Sequence, residues 1–391
     1  MKKTILVTLV LISAIAMVFA NGGKEAGSKL PENGIIKIGY VENLTGKSSN
    51  SGSLEKRGVD IAHELNHEIE IDGKKYQIEL CVADAKSDKV ESANCATRVI
   101  ESEKVCAIIG PSNSGTNMAI SEIVREAEIP TIASTATNPL VTAGNPFYFT
   151  ACFTNNVHAV AMAEFAYNKG FRKIAVVKEI TTDAAVDCAN RFEENFKKLT
   201  GDPNCIVCEV GYNVEDQDYT AQIVALKQNK FDAIFAPNTA ANLALMMKQA
   251  DTMGLDTIWL GIDSCEVAQF IEIGGKSLVN KVYFTSFFDN KVSQTNVTDV
   301  LFAEYAKRYN DTIAAHTAMA FDAYNVLVEG IKQAKSTKGT DIVKALEGLK
   351  NYPAASGYMT FNEAHNVENH AVIKTVDKNL SFAFVENWVE K

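Results

Sequence analysis

Beyond Ala20 the chain contains no apolar run approaching the length that a membrane-crossing helix needs. Basic residues are the minority charge: 38 Lys and Arg stand against 48 Asp and Glu, a net charge of −10, and they form no cluster. An acidic chain of this kind is ill suited to nucleic acid and favours a small solute or a protein partner. Eight cysteines in 391 residues are not needed as a disulfide scaffold, because a chain this long has a core to hold it. Cys81, Cys106 and Cys152 lie in apolar, strand-like runs and read as core residues. Cys205 and Cys208 form the single Cys-x-x-Cys pair. Without a second pair or a nearby His it is thin ground for zinc, and a small disulfide between the two stays open. No Cys directly follows Ala20, so the lipid-bearing cysteine of exported lipoproteins is missing.

Two chemical signatures are also absent. Gly110 to Thr116 has the outer spacing of a phosphate loop but no Lys between Gly115 and Thr116, so a nucleotide's phosphates would lose their main counter-charge. Ser112 and Ser114 lack the glycine spacing of a Gly-x-Ser-x-Gly nucleophile elbow. What the stretch does have is a short apolar strand, Val105 to Ile109, that breaks at Gly110-Pro111 into a small-residue loop before a helix expected over Met118 to Glu128. At the carboxyl end of a parallel strand, such a loop aims backbone N–H groups and the positive end of a helix at an incoming anion. Ser112, Asn113, Ser114 and Thr116 add hydroxyl and amide donors suited to a carboxylate or phosphate. The same residues also read as an N-capped turn that holds nothing.

The amino terminus combines Lys2 and Lys3, an apolar stretch from Ile5 to Phe19 and a Val18-Phe19-Ala20 cleavage site, the three parts of a secretory signal peptide. Residues 1–20 are expected to be removed and 21–34 to form a flexible polar leader, leaving the chain exported, periplasmic or extracytoplasmic. The remaining length favours two domains.

Strands and helices alternate from Ile35 onward. Strands are expected at Ile35–Val41, Tyr76–Ala83, Val105–Ile109 and Pro130–Ala133, with helices at about Leu54–Ile69, Lys89–Ser102 and Met118–Glu128. The alternation restarts with a helix from Val157 and strands at Lys173–Lys178, Cys205–Gly211, Asp232–Ala236 and Thr257–Gly261. Right-handed crossovers then give an α/β protein with two doubly wound parallel-sheet lobes. Loops with small polar side chains converge on the cleft between them. Hydroxyl and amide donors from the first lobe suit a carboxylate, and an acid such as Asp263 in the second suits an ammonium, which together fit an α-amino acid. Asp263 taken alone also reads as a solvated helix cap.

The chain resembles the type I periplasmic binding proteins of the leucine/isoleucine/valine-binding class, which feed ABC importers. The resemblance rests on Ile36-Lys-Ile-Gly39 with Leu44-Thr-Gly46, Arg57-Gly58-Val-Asp60, Ile71-Asp-Gly-Lys-Lys75, Ile109-Gly-Pro-Ser-Asn-Ser-Gly115, Glu128-Ile-Pro130, Ala136-Thr-Asn-Pro139 and Phe321-Asp-Ala323. It implies a type I periplasmic binding protein fold whose lobes, 35–154 plus 288–358 and 155–287 plus 359–391, are joined by three hinge crossings near Phe153–Asn156, Ser286–Asp289 and Gly357–Phe361. It further implies that Ser114 and the loop carrying Thr135, Ala136 and Thr137 hold a ligand carboxylate, while Asp263 takes the ammonium. No cofactor, metal or catalytic residue is implied, and the expected partners are an amino acid and an inner-membrane ABC permease, with the chain a monomer.

Departures from the family bear on the ligand's side chain. Ser51 stands where an aromatic is frequent, Asp183-Ala184 where Tyr-Gly is frequent, and Thr239-Ala240 again lacks aromatics. A roomier or more polar side-chain pocket is expected around Asp183, which also reads as a cap for a helix beginning at Ala184. Two other readings stay in view. His63-Glu64-Leu65-Asn66-His67 fits the zinc-protease pattern, but the apolar stripe Ile61, Ala62, Leu65 and Ile69 predicts both histidines on the solvent side. A sensor reporting a solute to a receptor would use the same fold.

Overall fold

The computed structural model describes residues 30–389 apart from Lys47, Thr182, Glu368 and Asn369, so the expected signal peptide and most of the leader lie outside the described residues. The first sheet is built from β1 (Ile35–Glu42), β2 (Glu68–Ile71), β3 (Lys74–Asp84), β4 (Ala107–Ile109), β5 (Thr131–Ala133) and β6 (Tyr148–Thr150), in the order β2-β3-β1-β4-β5-β6. All pairings are parallel except that of β2 with β3. The short wholly apolar runs take the centre, where both faces are covered: every residue of β4 is buried. Helices α1 (Ser49–Asn66), α2 (Lys89–Glu101) and α3 (Ser114–Glu126) connect them.

Three local expectations change. Helix α1 stops at Asn66, and Ile69, expected on its apolar stripe, lies in β2, which pairs with β3 across the Asp72-Gly73 turn, both with positive φ. Helix α3 begins four residues before Met118, because the Asn113 side chain accepts the Thr116 N–H at 3.1 Å and caps it there. Strand β6 was not marked by the alternation at all.

The second sheet contains β7 (Ile174–Glu179), β8 (Ile206–Tyr212), β9 (Ala233–Phe235), β10 (Ile258–Gly261), β11 (Val282–Ser286), β14 (His370–Val376) and β15 (Phe382–Val389), in the order β15-β14-β11-β10-β9-β7-β8. The strands β7 to β11 run parallel, and β14 and β15 add an antiparallel edge. Strand β11, which the sequence reading left out, is interior to this sheet. Its helices are α4 (Asn155–Asn168), α5 (Asp183–Thr200), α6 (Thr220–Lys227), α7 (Ala240–Thr252) and α8 (Ala268–Gly274). Three later helices, α9 (Asn296–Arg308), α10 (Ala315–Ala334) and α11 (Gly339–Gly348), return to the first sheet, as does the small hairpin of β12 (Tyr352–Ala354) and β13 (Gly357–Met359). Met359, Phe361 and Val367 lie in the first sheet's apolar cluster, and Asn366 bridges to Thr150.

The packing that fixes the first lobe is α1 against α10. Thr317 Oγ1 donates to the Leu54 carbonyl at 2.9 Å, and a Cβ added at Gly58 would lie 2.0 Å from the Thr317 carbonyl oxygen. Each sheet has one point where its strand order reverses, between β1 and β4 in the first and between β7 and β9 in the second. Ligands of open α/β sheets bind beyond the carboxyl ends of the strands at these points.

Candidate functional site

At the first reversal point β1 ends in Glu42 and Asn43 and β4 leads into Gly110–Asn113. Glu42 is buried, and its Oε1 accepts the backbone N–H groups of Asn43 at 2.6 Å and Ser112 at 2.9 Å. Asn43 Nδ2 donates to Ser112 Oγ at 3.1 Å, so the two strand ends are tied side to side. Ser114 then opens α3, half-buried, with its hydroxyl accepting the Asn138 N–H at 3.3 Å. The loop after β5 therefore lies against the start of α3. Within it Ser134, Thr135 and Ala136 are buried, while Thr137 is half-buried and its carbonyl accepts the Asn155 N–H at 3.0 Å. Thr135 Oγ1 is engaged inward, 3.0 Å from the Ser112 carbonyl oxygen and in contact with Glu55. Its hydroxyl serves the wall rather than its face.

The facing wall centres on Asp263, which follows β10 and opens a short 3-10 turn; its side chain is 26% exposed. His158 Nε2 on α4 lies 2.9 Å from Asp263 Oδ1, and His158 Nδ1 lies 2.5 Å from Thr285 Oγ1 on β11. His158 itself is fully buried, edge-on to Phe153. Burial works against the charge on Asp263, yet His158, then His316 and the Ser264 N–H, hold its carboxyl below the ordinary value. His316 belongs to α10 of the first lobe, and burial pushes its imidazole down while Asp263 works against that shift. Beside Asp263, Ser264 Oγ donates to the Asn238 carbonyl at 2.6 Å, and the Asn238 side chain is buried at the end of β9.

Two electrostatic interactions reach across the walls. His316 of the first lobe lies within electrostatic reach of Asp263 of the second, and the Cys152 thiol, on the first passage between lobes, senses both Asp263 and Glu55. Ser114, Thr137 and the buried support of Thr135 thus share one wall and Asp263 anchors the other. Ser51 sits half-buried in the first turn of α1, not in a loop, because α1 starts at Ser49. Asp183 is the first residue of α5, ahead of the helix start expected at Ala184, and its side chain lies outside the described residues.

Sequence reasoning missed His158 and His316. A signal existed for the first: α4 is mostly apolar with no polar stripe, so a buried Asn155 and His158 are polar groups that folding had to serve.

The zinc-protease spacing dissolves in three dimensions. His63 is half-buried, contrary to its expected exposure, with Nδ1 3.0 Å from the Tyr324 hydroxyl, because α10 lies across that face of α1. His67 falls beyond the helix end with Nδ1 3.1 Å from the Glu64 carbonyl, and Glu64 pairs with Arg308 at 2.7 Å. Among the described residues no group of three His, Cys, Asp or Glu is placed to hold a metal ion. All eight cysteines, Cys205 and Cys208 included, are free thiols. Among the described residues no helix is long and apolar enough to cross a membrane.

Residues 35–379 match the family model described as periplasmic binding protein. The Leu/Ile/Val-binding protein homolog 3 of Brucella melitensis is 25% identical over 341 residues, covering 85% of this chain and 89% of that protein. A leucine-binding protein, LivK, from Thermotoga maritima superposes with a TM-score of 0.79 at 31% identity, covering 90% and 98% of the two chains. LivJ of Streptococcus pneumoniae, a branched-chain amino acid transporter substrate-binding protein solved with isoleucine, gives a TM-score of 0.77 at 25% identity over 91% and 99%. With a family match over most of its length and two facing α/β lobes, the chain belongs to the type I periplasmic binding proteins of the leucine/isoleucine/valine-binding family, the substrate-binding proteins of ABC transporters.

Proposed function

We propose that the protein captures an α-amino acid in the cleft by hinge closure and delivers it to the permease of an ABC importer, as an exported protein whose residues 1–20 are removed. The carboxylate would meet the start of α3, Ser114 and the 136–138 backbone, and the ammonium would meet Asp263. The observation that carries this reading is the division of labour between walls: neutral donors at a helix N-terminus on one lobe, and a carboxylate held in its charged form on the other. Closure of the walls is a hinge motion of the kind common to two-lobed binders.

A second reading has its own support. His158 Nε2 already lies against Asp263 Oδ1, which leaves fewer acceptor positions for an ammonium and so favours a carboxylate ligand without an amine.

The two readings separate in a thermal-shift screen of ligand-stripped protein. Isoleucine at ~100 times its dissociation constant stabilises the folded form by about 2.7 kcal/mol. Under the first reading isoleucine raises the melting temperature, whereas its deaminated and decarboxylated analogues do not. D263N should then weaken isoleucine binding at least about 30-fold, since a buried charge pair loses one partner. Equal binding of the amine-free carboxylate, or unchanged affinity in D263N, would overturn it.

A further inference from the structure

Beneath the first wall lie two acids that the cleft chemistry above does not use. Glu55, on the second turn of α1, and Glu42, at the end of β1, are both fully buried. Among the described residues no Lys, Arg or His forms an ion pair with either carboxyl. Glu42 is fixed as an acceptor by the N–H groups of Asn43 and Ser112. Glu55 meets Thr135 instead, whose Oγ1 lies 2.5 Å from Glu55 Oε1 and 3.0 Å from the Ser112 carbonyl oxygen.

A threonine hydroxyl has one proton to give. The Ser112 carbonyl can only accept, so if the hydroxyl donates there, the proton in its short contact with Glu55 comes from the carboxyl. Charge leads to the same place: two neighbouring carboxylates without a cation cannot both stay ionised in a dry interior, and one retained proton removes the conflict. Glu42 already receives two N–H groups, which leaves Glu55 as the holder.

We propose that Glu55 is a protonated positioning residue: its neutral acid group joins α1 to Thr135, and through Thr135 to Ser112, so that the 134–138 loop and the start of α3 keep the spacing at which they receive a ligand carboxylate. The role of the clamp rests on the functional reading above. Its protonation does not. Burial first, and Glu42 next to it, push the Glu55 carboxyl well above its ordinary value. The other titratable groups facing this pair are Tyr40 on β1, whose hydroxyl is 3.4 Å from Glu42 Oε2, and the Cys152 thiol, with Asp60 further along α1.

The sign of the pH effect follows. The folded chain keeps the proton that the unfolded chain releases above about pH 4.3, so wild-type stability falls as pH rises from there toward the folded value. Glu55→Gln carries a permanent N–H donor of the same shape and lacks this loss. Three measurements test the proposal. In carboxyl-labelled protein, the glutamate resonance that disappears in E55Q should stay at its protonated position from pH 4 to 7. The melting temperature of E55Q should rise relative to wild type by about 2 °C per pH unit across that range. Isoleucine affinity should survive in E55Q within about 3-fold and fall at least ~10-fold in E55A, where the Thr135 contact is lost.

A resonance that ionises near pH 4, or an E55Q variant less stable than wild type at every pH, would overturn the proposal. The first two measurements use no ligand. A wild-type protein that ignores isoleucine would therefore sink the functional reading while they still decide the state of Glu55.

Discussion

A buried carboxyl is the clearest single-residue device in this molecule, and Asp322 on α10 repeats it away from the cleft. Its oxygens accept the N–H groups of Ala355 at 2.6 Å and Ser356 at 2.9 Å, pinning the β12–β13 hairpin to the helix. Burial outweighs those bonds and pushes the carboxyl up to about 6. The folded value lies above the unfolded one, so the contribution is full below about pH 3.9 and lost as pH rises through 6. Over that window the unfolding free energy of wild type should drop by about 3 kcal/mol more than that of D322N, read from urea titrations at fixed pH. At this scale the sequence was a partial guide. Asp322 stood inside the Phe321-Asp-Ala323 motif, and Ser114 and Asp263 were named from their places after strands. Glu55 could not be picked out, because it matters through Thr135, and the pairing of His158 with Asp263 and Thr285 was equally hidden: all these partners lie more than seventy positions away.

Among the elements, α1 and α10 show how one small residue sets a lobe. Gly58 lets the helices approach until a Cβ there would meet the Thr317 carbonyl at 2.0 Å and the Phe321 N at 2.8 Å, both backbone atoms that cannot step aside. Gly58→Ala should cost about 1–3 kcal/mol or more and lower the melting temperature, whereas Gly348→Ala, with nothing within 4 Å of the added carbon, should leave it nearly unchanged. Long elements with a repeating apolar face were legible before folding: α2 and β3 fall within a residue or two of expectation, and α5 starts one residue early. Of the short strands, β4, β5, β9 and β10 were legible too, but β2, β6 and β11 were not. Strand β2 was absorbed into the preceding helix because Ile69 continued an apparent stripe. Strand β11 takes its form from neighbours on both sides, and the edge strand β6 from β5.

The molecule as a whole is held at its second passage between lobes by one buried cation. Lys374 on β14, with no exposed side-chain surface, pairs with Glu266 and lies 3.4 Å from Asp289, and it donates to the Phe288 carbonyl at 3.1 Å. Glu266 closes the turn that Asp263 opens, its N–H donating to the Asp263 carbonyl at 2.9 Å. Strand β14, the passage and the Asp263 turn therefore share a charge. Lys374→Met would leave two buried carboxylates without their cation, an expected loss of about 3–5 kcal/mol in chemical denaturation. It should also weaken isoleucine binding through the displaced Asp263 turn, whereas Lys344→Met on a distant exposed face should do neither.

The sequence by itself determined the class of molecule. Alternating apolar strands and amphipathic helices demand parallel sheets with covered faces, and a small polar loop after each central strand puts donors at the sheet edge, because those periodicities are local properties of the chain. Tertiary structure alone decided which polar groups are engaged. Only when α1, α4 and α10 pack do Glu55 lose its water, His158 reach Asp263 and His63 turn to Tyr324, since desolvation and hydrogen-bond partnership depend on neighbours that lie far apart along the chain.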